Sequence, residues 1–396
     1  MAEISKVAVC LRALPHGGGT YQYNLSVIKA ALDLDPTRFA VEFFAFDPSW
    51  IPHLQKYSRP FRIIKTGMAD KILWQFFILF HLPVAWWRNI FFKLSRFQSL
   101  LVREKFQIGV FPSQDEHSFL TPGIKTLCAI HDLMHRYEPQ FPEVGSWLVL
   151  RHREYLYQNI CRWNSLIVAD SEMGRRHVSE SFGRPLDTIR ALHYIPPDYV
   201  LNASENSENE KGQLPELPSQ FFFYPAQFWA HKNHLRLLEA IKLLKDDGVS
   251  VKMVLVGSKK NNYEKVMSKI REYGLEKDVL VLGYVSDQEM VELYRRSLAL
   301  VMPTFFGPTN IPPLEAAYLG RPSALSNNYA MPEQIGDAAV YFDPTSAAEI
   351  ADAMRKLWTN PQLREKLSQN AQKLISNCSQ EVFNHRFAAV IDELVV

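Results

Sequence analysis

Short apolar runs alternate along this chain with amphipathic stretches, and the alternation occurs twice. Residues 7–11, 41–46, 108–111, 125–130 and 165–169 are short runs rich in Val, Ile, Leu and Phe, the size of strands. Residues 20–34, 145–162 and 172–182 place apolar residues at helical spacing. Residues 202–219, NASENSENEKGQLPELPS, carry Ser, Asn, Glu and Pro without a hydrophobic period and read as a linker or loop. The pattern then restarts, with strands over 221–224, 251–256, 279–282, 298–302 and 323–325. Helical spacing covers 234–245, 263–273, 287–297 and 312–319, and continues from 346 with breaks near 360–361 and 377. Strands alternating with helices predict a parallel sheet with helices on both faces. The expected fold is therefore α/β, with two doubly wound, Rossmann-like domains facing across a cleft, since ligands of open α/β sheets bind beyond the carboxyl ends of the strands. The reading divides the chain into 1–198, a linker at 199–219 and a second domain at 220–381, with a last helix at about 382–396 returning to the first domain.

Composition narrows the class. The 396 residues suit two domains, and 47% hydrophobic with 22% charged residues is globular. A net charge of +2 argues against a nucleic-acid binder, which needs a dense basic stripe. Cys10, Cys128, Cys161 and Cys378 are far apart with no CxxC pair, so reduced thiols are expected in place of a zinc site or disulfide scaffold. The first residues read as an opening strand, because a signal peptide needs a basic start and a longer apolar core. Residues 72–92 are the most apolar segment, but Gln75, His81, Pro83, Arg88 and Asn89 interrupt them, which makes a poor membrane span. Trp74, Phe76, Phe77, Trp86, Trp87, Phe91 and Phe92 lie among Arg88, Lys93, Arg96, Arg103 and Lys105. Such a cluster suits either peripheral membrane contact through 72–105 or an aromatic helix pair covering the first sheet. The expected location is cytoplasmic, at the inner face of a membrane if that contact is made.

Five segments carry candidate chemistry. In FFGPTNIPPLEAAYLGRP (305–322) a strand ends in a Gly-Pro-Thr-Asn loop and two prolines open a helix. Free N–H groups at such a start suit a phosphate, and Glu315 in its first turn can take the two hydroxyls of a ribose or merely favour the positive helix end. In FFFYPAQFWAHKNHLRLLEA (221–240) Lys232 ends a polar loop as a point charge fit for a diphosphate, or is a plain exposed lysine; His231, Asn233 and His234 read as loop and capping residues. In VLVLGYVSDQEMVELY (279–294) a strand ends at Gly283, and Ser286 or Asp287 caps the next helix. The run Gly17-Gly18-Gly19 after the first strand can approach an anion or is a bare turn. His131, in AIHDLMH, closes a strand. Asp33-Leu34-Asp35, the only Asp-x-Asp, lies late in a helix, so no metal cluster and no cofactor are expected.

The 305–322 segment closely resembles the donor site of the retaining GT-B glycosyltransferases called family 4, where a Glu-x7-Glu pattern ends in PPLEA; the GPTN loop is similar to a subgroup variant. The resemblance is specific over 221–325 and looser before 202, and it implies that 1–198 is the acceptor side and 220–381 the nucleotide-sugar donor domain. It implies that Glu315 holds the nucleotide ribose, with backbone N–H groups of Thr309, Asn310 and Ile311 near the sugar and phosphates. The family's first Glu falls at Gly307 and is absent here. Lys232 matches the family lysine on the diphosphate, and Gln227 stands where the family has arginine. Gly283, Tyr284 and Val285 would meet the nucleobase, Gly257 would border the same site, and Gly18 and Gly19 would border the phosphates. His131 would lie near the donor sugar, and Ser171 with Glu172 would cap a helix facing the cleft. The implied activity is a metal-independent retaining transfer of a hexosyl or deoxyhexosyl unit from a GDP- or UDP-linked donor. A glycan or lipid-linked saccharide of polysaccharide or O-antigen assembly would accept it. A nucleotide-sugar epimerase and a non-catalytic partner on the same fold are the alternatives.

Overall fold

The computed structural model describes residues 4–15, 18–65, 67–203 and 214–395, without side chains at 69–71, 73, 74, 78, 90–92 and 94. Gly17, most of the 202–219 stretch and the side chains of Trp74, Phe91 and Phe92 therefore lie outside the described residues. The chain divides into two units. One comprises Met1–Tyr137, Val144–His193 and Gln380–Val396, the other Glu138–Glu143 and Tyr194–Ser379. Residues 138–143 and 194–198, which the sequence reading puts in the first domain, pack with the second.

The first unit is built on seven strands: β1 (Ser5–Leu11), β2 (Phe39–Ala45), β3 (Phe61–Ile63), β4 (Ile108–Phe111), β5 (Lys125–Ile130), β6 (Leu166–Ala169) and β7 (Ile189–Ala191). They pair in the order β3-β2-β1-β4-β5-β6-β7, all parallel. Val7 faces Val41 on one side and Ile108 on the other, and Val7, Ala8, Val9, Cys10 and Leu11 are wholly buried. A strand covered on both faces can be apolar at every position, which is why this run does not alternate.

Helix Gln380–Val395 packs on helix Gly19–Leu32 of this unit. The Phe383 ring meets Tyr23 edge-on at 5.8 Å, and Phe387, Val390, Ile391 and Leu394 are buried. Arg190–Glu393 at 2.5 Å and Arg38–Asp392 at 2.7 Å flank the contact. Exposed pairs of this kind contribute little, so apolar burial holds the helix in place.

The second unit carries β8 (Phe222–Pro225), β9 (Met253–Val256), β10 (Val279–Gly283), β11 (Ala299–Met302), β12 (Ser323–Ser326) and β13 (Ala339–Phe342). Their order is β10-β9-β8-β11-β12-β13, again all parallel. Each sheet thus reverses its winding once, between β1 and β4 and between β8 and β11. Loops leaving the carboxyl ends of strands at such a reversal diverge and leave a crevice for ligands.

Residues 72–92 fold as two helices, Met68–Leu79 and Val84–Leu94, separated by Pro83 and by His81 at φ 45°. Among the described residues no helix is long and apolar enough to cross a membrane.

Candidate active site

At the second reversal, the loop after β8 and the loop after β11 are locked together. Asn233, at φ 60°, begins helix His234–Asp246. Its buried Nδ2 donates to the carbonyls of Pro303 and Pro344, both at 2.8 Å. The His231 carbonyl accepts from the Phe305 N–H at 2.8 Å and the Thr304 hydroxyl at 3.2 Å, and the Lys232 carbonyl accepts from Tyr224 at 2.9 Å. This bracket fixes the backbone that carries Lys232, whose Nζ donates to Asn310 Oδ1 at 3.3 Å. Burial, reinforced by the Lys232 charge, pushes His231 down to about 4 and His234 to about 3. Both imidazoles are neutral near pH 7.

Gly307 explains a departure seen in the sequence. Its φ is 133°, and a Cβ there would meet the Asn310 amide nitrogen at 2.5 Å. A side chain at 307 would have to displace the Asn310 amide, which also donates to the Gly307 carbonyl at 3.2 Å. Asn310 N–H donates to Gln334 Oε1 at 3.0 Å, and Gln334 Nε2 returns a bond to the Asn310 carbonyl at 2.8 Å. Pro312 and Pro313 have no N–H. The start of helix Ile311–Tyr318 is therefore poorer in open donors than its sequence suggests, which shifts weight to Lys232.

Glu315 is buried, one turn into that helix. Its Oε1 accepts from Tyr199, in the short helix Asp198–Leu201, and its Oε2 from Tyr294 at 2.5 Å. Burial raises its pKa, and the two tyrosyl hydroxyls offset only part of that rise. An ionised carboxylate offers about four lone-pair sites, and the tyrosines take two of them.

The remaining predicted residues of this unit flank the same strand ends. Gln227 Oε1 accepts from Trp229 Nε1 at 2.8 Å. Gly257 follows β9, where a Cβ would meet the Ala226 carbonyl oxygen at 2.2 Å, so the loops after β8 and β9 approach too closely for any side chain. After β10, Gly283 takes φ 73°, Tyr284 is 85% exposed, and Val285 is buried. Ser286 caps the next helix in a reciprocal box with Glu289.

In the first unit, Gly18 at φ 71° precedes helix Gly19–Leu32. His131, at the end of β5, is buried; its ring meets Tyr23 edge-on at 4.8 Å, and Nε2–H donates to the Pro112 carbonyl at 2.8 Å. Burial lowers its pKa, which makes it a neutral imidazole with Nε2 already engaged. Ser171 accepts from Gly174 N–H at 2.9 Å, capping helix Glu172–Phe182. Cys10, Cys128 and Cys161 are buried free thiols, and Cys378 is half-buried.

The sequence reading missed a charged cluster at the first reversal. His117 donates to Asp115 Oδ1 at 2.7 Å from Nδ1 and at 2.9 Å from its backbone. Arg12, after β1, donates to Glu116 at 2.8 Å. Asp115, Glu116 and His117 have ligand atoms within 4.8 Å of one another, as a metal site requires, but Arg12, 3.4 Å from His117 Nδ1, and a protonated His117 together balance the two carboxylates. Its sequence signal is three consecutive titratable residues after a strand, Asp115, Glu116 and His117.

Burial opposes both charges, yet mutual attraction outweighs it, so Asp115 is lowered and His117 raised. Asp115 contributes stability above the ordinary carboxylate value near 3.9 and loses it as pH falls through its lowered pKa. His117 contributes fully below about 6.5 and loses its share as pH climbs through its raised pKa. The melting temperature should therefore decline as the pH rises above that point. His117→Gln should flatten this alkaline limb in a calorimetric pH series, and an unchanged slope would refute the assignment.

Two parallel sheets, each reversing its winding once, define a doubly wound α/β architecture, and known proteins share it. Residues 206–374 match the sequence profile of the glycosyl transferases group 1, so the second unit carries a group 1 glycosyl transferase domain. A glycosyltransferase from Rickettsia africae ESF-5 superimposes with a TM-score of 0.73 at 16% identity over 99% of both chains. Anabaena HepE in complex with UDP-glucose gives 0.69 at 14% identity over 98% of this chain and 99% of its own. These likenesses establish the fold as GT-B. In sequence, the chain is 25% identical over 226 residues to O-antigen chain mannosyltransferase B of Escherichia coli, a match spanning 55% of this chain and 59% of that relative.

Proposed function

We propose that the chain transfers a hexosyl unit, mannosyl by its similarity to the E. coli relative, from a nucleotide-sugar donor to a saccharide of O-antigen or related polysaccharide assembly. The observation that carries this is one cation, Lys232, held on a cross-braced loop at the β8/β11 reversal beside the helix bearing the buried carboxylate of Glu315. Lys232 neutralises the departing diphosphate, Glu315 accepts the ribose hydroxyls, and Tyr284 offers its ring to the base. A fixed cation aimed at developing charge needs no reorganisation during the reaction. We propose retention of anomeric configuration, with no protein nucleophile and no metal ion.

The test is a panel of GDP-, UDP- and dTDP-sugars scored by thermal unfolding. A ligand at 100 times its Kd adds about 2.7 kcal/mol of stability, so one nucleotide should stand out. If none raises the melting temperature at millimolar concentration, the donor reading falls.

Membrane attachment of the first unit is part of the proposal. Met68, Ile72, Phe76, Leu79, Phe80, Trp86, Trp147 and Leu148 are all exposed, and Arg151 lies over the Trp147 ring at 4.7 Å. Trp87 belongs instead to the core, stacked on Phe77 at 4.2 Å. Burying an aromatic side chain is worth about 1.5–3 kcal/mol. Trp86→Ser with Trp147→Ser should therefore weaken sedimentation with anionic vesicles by more than tenfold, and unchanged binding would remove this surface from the proposal.

A further inference from the structure

A cavity of about 860 Å³ opens at the carboxyl ends of β12 and β13, lined by Asn327, Asn328, Tyr329, Tyr341, Asp343 and Glu349 among others. It lies in the upper part of the ~300–1,000 Å³ range that holds small ligands. Its lining also takes Phe305 from the loop after β11 and Glu138 and Phe141 from the 138–143 segment. Lys232, Asn310 and Glu315 are not among its lining residues, so it is distinct from the proposed nucleotide site.

Charge excludes a phosphate from this cavity. Glu138, Asp343 and Glu349 line it, and no lysine or arginine does among the described residues. A diphosphate would meet three carboxylates and no counter-charge. A neutral saccharide fits the same lining, because its C–H faces pack on aromatic rings and its hydroxyls bond to amides and carboxylates.

The polar groups are also held in place beforehand. Tyr329 OH donates to Glu138 Oε1, and Glu349 Oε2 accepts from the Asp343 N–H at 2.9 Å. Asn328 Nδ2 donates to the Phe305 carbonyl at 2.7 Å, joining the loop after β12 to the loop after β11. The Asn327 backbone N–H donates to the Phe342 carbonyl at 2.7 Å while its side chain stays exposed. Tyr329 adopts φ 49°, an unusual conformation for a bulky residue, and strain of this kind concentrates at binding sites. Through Phe305, whose N–H bonds the His231 carbonyl, the cavity is one residue away from the loop position of Lys232.

We propose that this cavity is a saccharide subsite for the acceptor glycan, formed on the same unit that binds the donor nucleotide. The inference rests on the transferase reading above. The test uses α-mannotriose as probe in saturation-transfer NMR and calorimetry, with wild type, Asn327→Ala and Asn327→Trp. The tryptophan is placed to fill the mouth of the cavity. Wild type should bind the probe, Asn327→Ala should bind at least threefold more weakly, and Asn327→Trp at least tenfold, while the nucleotide-induced melting shift stays the same in all three. Failure of wild type to bind at 10 mM (an order-of-magnitude ceiling for weak sugar sites, about 100-fold above a ~0.1 mM Kd), or undiminished binding by Asn327→Trp, overturns the subsite. If the nucleotide shift persists in either case, the donor reading stands without the subsite; if it is absent from wild type, the donor reading itself has failed.

Discussion

Replacing Lys232 by alanine is expected to reduce sugar transfer by about 10²–10³-fold, with kcat carrying the loss, as when a group aimed at developing negative charge is removed. The loss should be large because the alternatives nearby are weak. The helix start at Asn310 has its N–H committed to Gln334, positions 312 and 313 are prolines, and His231 and His234 are neutral. The fold should barely notice. Lys232 makes a long 3.3 Å bond to Asn310, and the backbone around it is held by Asn233, Thr304 and Tyr224 without its side chain. Changes away from the core usually stay within about 0.5 kcal/mol. A second readout checks placement independently of activity. The positive charge of Lys232 helps depress both flanking histidines, so their NMR titrations should move upward in Lys232→Ala. Near-normal turnover in the variant would remove this residue from the mechanism.

The parts of this architecture that were readable in the sequence are those with two buried faces. β1, β4, β6, β8 and β11 are continuous apolar runs because neighbours cover them on every side. The three strands the sequence reading does not place, Phe61–Ile63, Ile189–Ala191 and Ala339–Phe342, are all at sheet edges. There one side is unpaired and most positions are half-exposed; the first two are three residues long with an arginine in each, and the third is apolar but only four residues long. The candidate site divides in the same way. Lys232 and Glu315 stand in recognisable strand–loop–helix segments. What surrounds them does not, because Tyr199 is 116 residues from Glu315 in sequence and Asn233 is 111 from Pro344. Asp115 and His117 were missed because a loop dyad has no period, and its chemistry emerges only when β1 brings Arg12 beside β4.

Glu315→Gln is expected to weaken nucleotide binding by about 10–100-fold, the range of a hydrogen bond to a charged group at ~1.5–3 kcal/mol. The amide keeps the size of the side chain but loses the charge and replaces one acceptor oxygen with a donor. Tyr294, fully buried, and Tyr199 both direct hydroxyls at this carboxylate, so Glu315→Ala should in addition destabilise the second unit, by about 1–3 kcal/mol for each hydroxyl left without an acceptor. The comparison of the two variants separates a ligand-binding role from a structural one. A pH series sharpens it. Burial holds the Glu315 pKa above the ordinary value, so its proton returns at a higher pH than for an exposed glutamate near 4.3. Protonation removes acceptor capacity, and wild-type affinity for the nucleotide should fall as pH drops through that raised value. The glutamine variant has no proton to take up and should show no such decline. Calorimetric titration with the nucleotide chosen by the donor panel measures both, and equal affinity of wild type and Glu315→Gln at neutral pH would leave the buried carboxylate as a structural partner of the two tyrosines alone.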